Sequence, residues 1–177
     1  MKNKKNKNVA KTAHSENEKP KKMFLFLLKF FAIFFVSSWL IENADLASFN
    51  SFIAGATATA AGLPFFGNSV YILQTGETFL VENLCTGLLS ACILFSIIFA
   101  LKKPALLKKI IIFLAGAVFL LLANIPRVLL VLLAAKNGFD AEVVHTVSWF
   151  FMSAIVVALW YYGTKKIAGI KNFEELL

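Results

Sequence analysis

The apolar residues of this chain are gathered into blocks as long as a lipid bilayer is thick. Residues 23–41 read MFLFLLKFFAIFFVSSWLI, and residues 84–101 read LCTGLLSACILFSIIFAL. Residues 110–135 are apolar apart from Asn124, Pro126 and Arg127, and residues 143–162 form a last block. At 1.5 Å per residue, about 20 residues cross a hydrocarbon core of about 30 Å. With 59% hydrophobic residues, 19 Phe and only 16% charged residues, an ordinary soluble domain is excluded. The expected fold is all-α: a polytopic helical integral membrane protein with four transmembrane helices at about 23–41, 84–101, 110–135 and 143–162. A single transmembrane domain, 23–163, then lies between a basic tail, 1–22, and a second tail, 164–177.

Eighteen basic residues against ten acidic ones leave a net charge of +8, so the location of the charge decides what it means. Eight Lys and two Glu fall within 1–22, a composition that cannot build a core and reads as disordered. This tail abuts an apolar segment and carries no interleaved aromatics. It therefore reads as a topology signal in contact with anionic lipid rather than as a nucleic-acid arm. Placing both termini and the 102–109 loop in the cytoplasm puts fifteen of the eighteen basic residues there, in keeping with the positive-inside rule. Lys29 is near enough to that side to snorkel, Arg127 and Lys136 fall on the opposite side, and so do Glu42, Asp45, Glu77, Glu82, Asp140 and Glu142. The first block exceeds the 7–15 apolar residues of a cleaved signal peptide and no clear A-x-A site follows it, so it reads as an uncleaved anchor in the cytoplasmic membrane.

Residues 42–83 differ in character and are expected outside the bilayer core. ASFNSFIAGATATAAGL suits a short interfacial helix with Phe49, Phe52 and Ile53 toward lipid. After Pro64 and Gly67, Val70 and Ile72, a turn at Thr75, Gly76 and Glu77, then Phe79 and Val81 read as a small hairpin, a lid or docking edge.

This topology brings three chemically capable side chains to one level: Cys85 at the start of the second span, Arg127 near the outer end of the third, and His145 at the start of the fourth. An ionisable group within a span is a functional-site hypothesis by default, and Arg127 has no acid close by in sequence. Asn124, three residues earlier, shares its helical face, and Pro126 frees a carbonyl one turn back. Cys85, following Glu82 and Asn83, is expected in the first turn of a helix, where the dipole favours thiolate. Cys92 is a small apolar filler, too far along the same helix to pair with it. His145 has Glu142 and Ser148 on its own face to orient one ring nitrogen. Nucleophile, base and cation are the set that cysteine acyl transfer needs. One His and one Cys beside an Arg offer too few ligands for a metal, and no cofactor is expected. The competing class is a non-enzymatic membrane scaffold or lipid- or partner-binding factor, with Arg127 on a head group and Cys85 inert. A transporter is disfavoured because no internal repeat is visible.

Cys85-Thr86-Gly87-Leu88-Leu89-Ser90, then Asn124-Ile125-Pro126-Arg127, then His145 resembles the exosortase/archaeosortase family, in the family's order and over residues 76–162. The resemblance implies a membrane cysteine transpeptidase or peptidase that removes C-terminal sorting tails from exported client proteins and passes the acyl group to water or another acceptor. It implies Cys85 as nucleophile, Arg127 as the group for the oxyanion or a substrate carboxylate, and His145 as acid/base. Gly87 and Ser90 would be motif residues that allow close helix approach. Larger members have about eight spans, so a four-span chain resembles a minimal core that relies on a homo-oligomer or partner subunit, and some members carry Arg in place of the His.

Overall fold

The computed structural model describes residues 2–169 and Leu176, with side chains from Pro20 onward apart from Ala168. Residues 170–175, Lys171 among them, and residue 177 of the expected tail 164–177 lie outside the described residues. Helix α1 spans Lys2–Glu42, so its backbone continues through the segment whose composition reads as disordered. Lys, Ala and Glu are good helix formers, and extending an existing helix avoids the cost of nucleation. The apolar part, Pro20–Glu42, is 23 residues long and none of its most apolar window is buried in the protein. Its Phe24, Phe31, Phe35 and Trp39 are exposed, as a lipid-facing helix requires.

Helix α2, Ala47–Ala61, ends at Gly62 in a left-handed cap. A three-stranded antiparallel sheet follows, in the order β1 (Phe65–Phe66), β2 (Ser69–Ile72), β3 (Glu77–Leu80). Val70 pairs with Phe79 and Ile72 with Glu77, which gives the expected hairpin with one short strand added at its edge. Helix α2 does not lie with all three of its named apolar residues in lipid. Phe52 is exposed, whereas Ile53 is buried with Ala54, Ala58, Val70, Ile72, Val128 and Leu132 in a core that joins α2, the sheet and the end of a later helix. The small residues of ATATAA let that later helix approach closely.

A 3-10 turn, Asn83–Thr86, leads through Gly87 into helix α3, Leu88–Ala100. Of the four expected spans this is the one that falls short: α3 has 13 residues. The reason is local. Gly87 adopts φ 90°, ψ −6°, which interrupts the helix three residues after Leu84 and turns the Cys85 segment aside. Helix α4, Leu106–Lys136, is one unbroken helix of 31 residues with Pro126 inside it. Helix α5, Ala141–Gly163, continues as a π-helical turn, Thr164–Ala168. Three helices are thus long and apolar enough to cross a membrane, at Pro20–Glu42, Leu106–Lys136 and Ala141–Ile167, with α3 as a shorter apolar companion.

The short connections after α3 and α4 make neighbouring helices antiparallel. Helix α3 packs on α1 and α4, and α4 packs on α5 and α2. At the loop end, the backbone amide of Lys102 donates to the Leu176 carbonyl at 3.0 Å. Buried Lys109 donates to the Leu101 carbonyl, closing the C-terminal end of α3. A second apolar core, Leu94, Ile98, Ile112, Leu120, Met152 and Val156, joins α3, α4 and α5. Along α4 the two cores meet between Leu120 and Val128, the interval that holds Asn124 and Arg127.

Candidate active site

Because α3 runs away from Cys85 and α4 returns, the start of one and the far part of the other lie at the same end of the bundle. Helix α5 then leaves from that end. Asp140 caps it, accepting from the backbone amides of Glu142 at 2.9 Å and Val143 at 3.1 Å, which sets His145 just beyond the first turn. The three elements therefore deliver Cys85, Arg127 and His145 to one neighbourhood, as the sequence leads one to expect.

A chain of hydrogen bonds joins them. Asn124 Nδ2 donates to the Cys85 carbonyl at 2.6 Å, and Arg127 Nη1 donates to Asn124 Oδ1 at 3.1 Å. The same guanidinium donates from Nε to Ser148 Oγ at 3.0 Å and meets His145 Nε2 from Nη2 at 3.2 Å. Asn124 is 1% exposed and Arg127 6%, so this is an internal polar layer and every bond counts. Cys85 is half-buried, free, and within electrostatic reach of the guanidinium. Among the described residues Arg127 thus satisfies its buried charge without a carboxylate, through neutral acceptors and through the face of Trp149, whose ring centroid lies 5.2 Å from Cζ.

Two donors converge on one atom of His145. Trp149 Nε1 donates to Nε2 at 3.0 Å while Arg127 Nη2 approaches it at 3.2 Å. Indole and guanidinium nitrogens only donate, so Nε2 is the acceptor and the ring is neutral with its proton on Nδ1. The ring is therefore oriented by Trp149 and Arg127, and not by Glu142 or Ser148. Glu142 is exposed, and Ser148 Oγ donates at 2.7 Å to the His145 carbonyl rather than to its ring. Trp149 is the residue that sequence reasoning missed. Its signal was the i, i+4 spacing from His145 on one helical face.

Gly87 acts through its lack of a side chain. A Cβ there would lie 2.8 Å from Asn124 Cβ and 3.3 Å from the Leu120 carbonyl oxygen. The glycine thus lets the Cys85 turn press directly on the helix that carries Asn124. Ser90 is buried one turn later on α3 and takes no part in the chain of bonds. Thr86, fully buried, donates from Oγ1 to the Asn83 carbonyl at 2.6 Å and braces the same turn. Among the described residues no group of three His, Cys, Asp or Glu is placed to hold a metal ion.

The sequence profile of the family described as Transmembrane exosortase (Exosortase_EpsH) matches residues 21–161, most of α1 through most of α5. Neither a curated protein nor a solved structure gives a significant match.

Proposed function

The chain belongs to the transmembrane exosortase family, and from that premise we propose that it is a cysteine transpeptidase or peptidase acting on the C-terminal sorting tails of exported proteins, with Cys85 as its nucleophile. Family membership supports a membrane transpeptidase in general. The observation that carries the finer reading is the unbroken run of bonds from the Cys85 carbonyl through Asn124 and Arg127 to His145 Nε2.

The chemistry follows from that layer. The client's scissile carbonyl sits beside Cys85, and the thiol proton passes to Nε2 of His145, the basic atom of the neutral ring, displacing the Trp149 and Arg127 donors that share its one lone pair. An imidazolium and the Arg127 guanidinium repel, so protonation frees the Nη2 donor from Nε2. It is then available to the oxyanion that forms as sulfur bonds to the carbonyl carbon. Collapse breaks the peptide C–N bond, His145 returns the proton to the departing amine, and a thioester remains on Cys85. Water, or an amine or hydroxyl acceptor, then attacks the thioester carbon with His145 again taking the proton; the C–S bond breaks, the acyl group leaves on the acceptor, and His145 returns the proton to the Cys85 sulfur.

The site lies at the end of the bundle that carries α2 and the sheet. Lys102, Lys103 and Lys108 lie at the other end, and the basic ends of α1 and α5 accompany them. The positive-inside rule therefore supports an extracytoplasmic site with both termini cytoplasmic. The direct test follows the mass and C-terminus of exported proteins whose tails combine a short motif, an apolar stretch and a basic cluster. Wild type is compared with Cys85→Ser, Arg127→Ala and His145→Ala at matched membrane abundance. Uncleaved tails in Cys85→Ser support the assignment, and normal processing in all three variants overturns it.

A further inference from the structure

Strand β3 is the open edge of the sheet. The opposite edge is closed: β1 has two residues, both β1 and β2 pack on α2, and the Phe65 ring is set against Gly55 of that helix. β3 packs on β2, no further strand pairs with it among the described residues, and its Glu77, Thr78 and Leu80 are exposed. The ladder fixes which of its main-chain groups are turned outward. The Val81 amide donates to the Asn68 carbonyl at 2.9 Å. Bonded positions alternate along an antiparallel pair, so Phe79 bonds to Val70, and Thr78 and Leu80 fall at the positions between. Tyr71, opposite Thr78, accordingly donates its amide to the Pro64 carbonyl at 2.9 Å, away from β3. Thr78 and Leu80 therefore turn their N–H and C=O groups to the open side.

An open edge is a template for another extended chain. Proteins shut an unused edge with a lysine, a proline or a bulge. β3, ETFL, has none of these: its register with β2 is continuous, and its one charge, Glu77, stands at the hairpin turn. At its other end β3 leads straight to Cys85. Val81 and Glu82 carry the chain on, Glu82 with an extended φ of −99° and ψ of 170°, into the 3-10 turn Asn83–Thr86. Leu80, Glu82, Asn83 and Leu84 line one cleft of about 390 Å³, so the surface between the strand and the turn is concave. Asn83 holds that turn in place. Its Nδ2 donates to the Ile41 carbonyl at 2.8 Å and the Ala44 carbonyl at 3.0 Å, and its Oδ1 accepts from Asn50 Nδ2 at 2.7 Å. A chain laid along β3 at about 3.3 Å per residue thus comes level with the Cys85 turn about three residues after it passes Leu80.

We propose that the client segment immediately N-terminal to the scissile bond binds as an added strand on β3, its main chain bonded to Thr78 and Leu80. Resting on the acyl-transfer reading above, the inference names the form in which the substrate is recognised: an extended backbone, held by main-chain bonds. Its direction follows from the topology. Residues after the scissile bond enter the bilayer beside the bundle, so the residues before it arrive from the side of the sheet and run the same way as β3, toward Cys85. The pairing is therefore parallel. In a parallel pair Leu80 bonds to the two client residues that flank the one opposite it, and Thr78 to the two that flank the residue opposite Thr78. Two client amides, two residues apart, then donate to the edge, and the amide between them points away.

The full-length Cys85→Ser protein in lipid nanodiscs keeps the binding question separate from catalysis. The probe is the tail peptide of an exported host protein, from the residues before its short motif through its apolar stretch and basic cluster, with occupancy checked by co-purification. Residue-resolved amide exchange is followed with and without it. The Thr78 and Leu80 amides are expected to exchange freely in the free protein and to slow at least tenfold in the complex, while Phe79 is slow in both. A peptide that does not co-purify, or unchanged exchange at Thr78 and Leu80 in the occupied complex, overturns the proposal. Protection already present in the free protein together with a dimer assigns the edge to a second copy and overturns it as well. In the active protein, Leu80→Pro removes an edge donor and leaves the ladder to β2 intact, whereas Leu80→Ala keeps that donor. KM for client cleavage should be about fivefold higher in Leu80→Pro than in Leu80→Ala, the worth of one such bond. Proline placed singly along the client before its scissile bond should raise KM at alternate positions. Equal KM in the two variants, or a proline effect without alternation, overturns the proposal. Amide protection that persists while Cys85→Ser leaves processing intact keeps the edge and rejects the catalytic assignment alone; lost processing without protection does the reverse.

Discussion

Asn124 and Cys85, 39 residues apart, are joined by a 2.6 Å bond from a buried side-chain amide to a backbone carbonyl. The same amide receives Arg127, so Asn124 sets the distance between the segment that carries sulfur and the cation. Asn124→Ala is expected to slow processing about a hundredfold, because small displacements of reacting groups are that costly. Asn124→Asp keeps an acceptor for Arg127 but sets a carboxylate against the Cys85 carbonyl, so it should be no more active than the alanine variant. Client cleavage rates at matched abundance check both, and an Asp variant near wild type would sink the linkage.

Gly87→Ala combines two penalties at one atom. The residue holds φ 90°, and a Cβ meets Asn124 Cβ at 2.8 Å, a rigid neighbour rather than a flexible tip. A cost of about 1–3 kcal/mol is expected from backbone strain and overpacking together. Thermal unfolding in micelles should show a lower midpoint, and the remaining folded protein should cleave at least tenfold more slowly.

Trp149 has two separable functions, one for its indole N–H and one for its ring face. Trp149→Phe removes the donor to His145 Nε2 while leaving an aromatic surface under Arg127. Trp149→Ala removes both. Processing should fall several-fold in the first and further in the second, by a margin that reflects a cation–π contact of about 1–2 kcal/mol. Equal loss in the two variants would show that the N–H alone matters.

Arg127→Lys tests geometry against charge. A planar guanidinium serves Asn124, Ser148 and His145 at once, whereas a single ammonium cannot span three partners in those directions. The lysine variant is expected to lie within about tenfold of Arg127→Ala in cleavage rate. Activity near wild type would mean that only the charge is needed.

Lys136 donates from Nζ to the Ala61 carbonyl at 2.6 Å, fastening the end of α2 to the end of α4. Lys136→Met should destabilise by about 1 kcal/mol through the lost bond and the lost cation at a helix C-terminus. The midpoint of thermal unfolding should drop by a few degrees with little change in cleavage at low temperature, and a catalytic defect in the stable protein would contradict a purely structural tie.

What could be foreseen and what could not divide along physical lines. Residues 23–41, 110–135 and 143–162 announce their helices through sheer apolar length, and Val70, Ile72, Phe79 and Val81 announce the hairpin by alternation. Convergence of Cys85, Arg127 and His145 follows from antiparallel neighbours alone. The interruption at Gly87 was not legible, because a glycine within an apolar run carries no mark of its φ until a neighbour such as Asn124 demands the space. Nor was the burial of Ile53, which depends on small residues of α2 meeting Val128 and Leu132 of α4. Trp149 and Asn83 were hidden for a related reason: their importance lies in which partner's lone pair they meet, and spacing along one chain does not encode that.

The brevity of α3 bears on how, on the proposed function, a peptide bond reaches Cys85 at all. Thirteen residues rise only about 20 Å, roughly 10 Å less than the hydrocarbon layer is thick. The regular helix stops there while α4 continues beside it, and the turn bearing Cys85 packs against the core that α2 and the sheet build with the end of α4. A segment shorter than the layer is accommodated by thinner lipid beside it or by the neighbours that cover its end. On the proposed function, a client anchored by its own transmembrane tail then meets Cys85 below the level that a full-length span would reach, without being drawn clear of the bilayer.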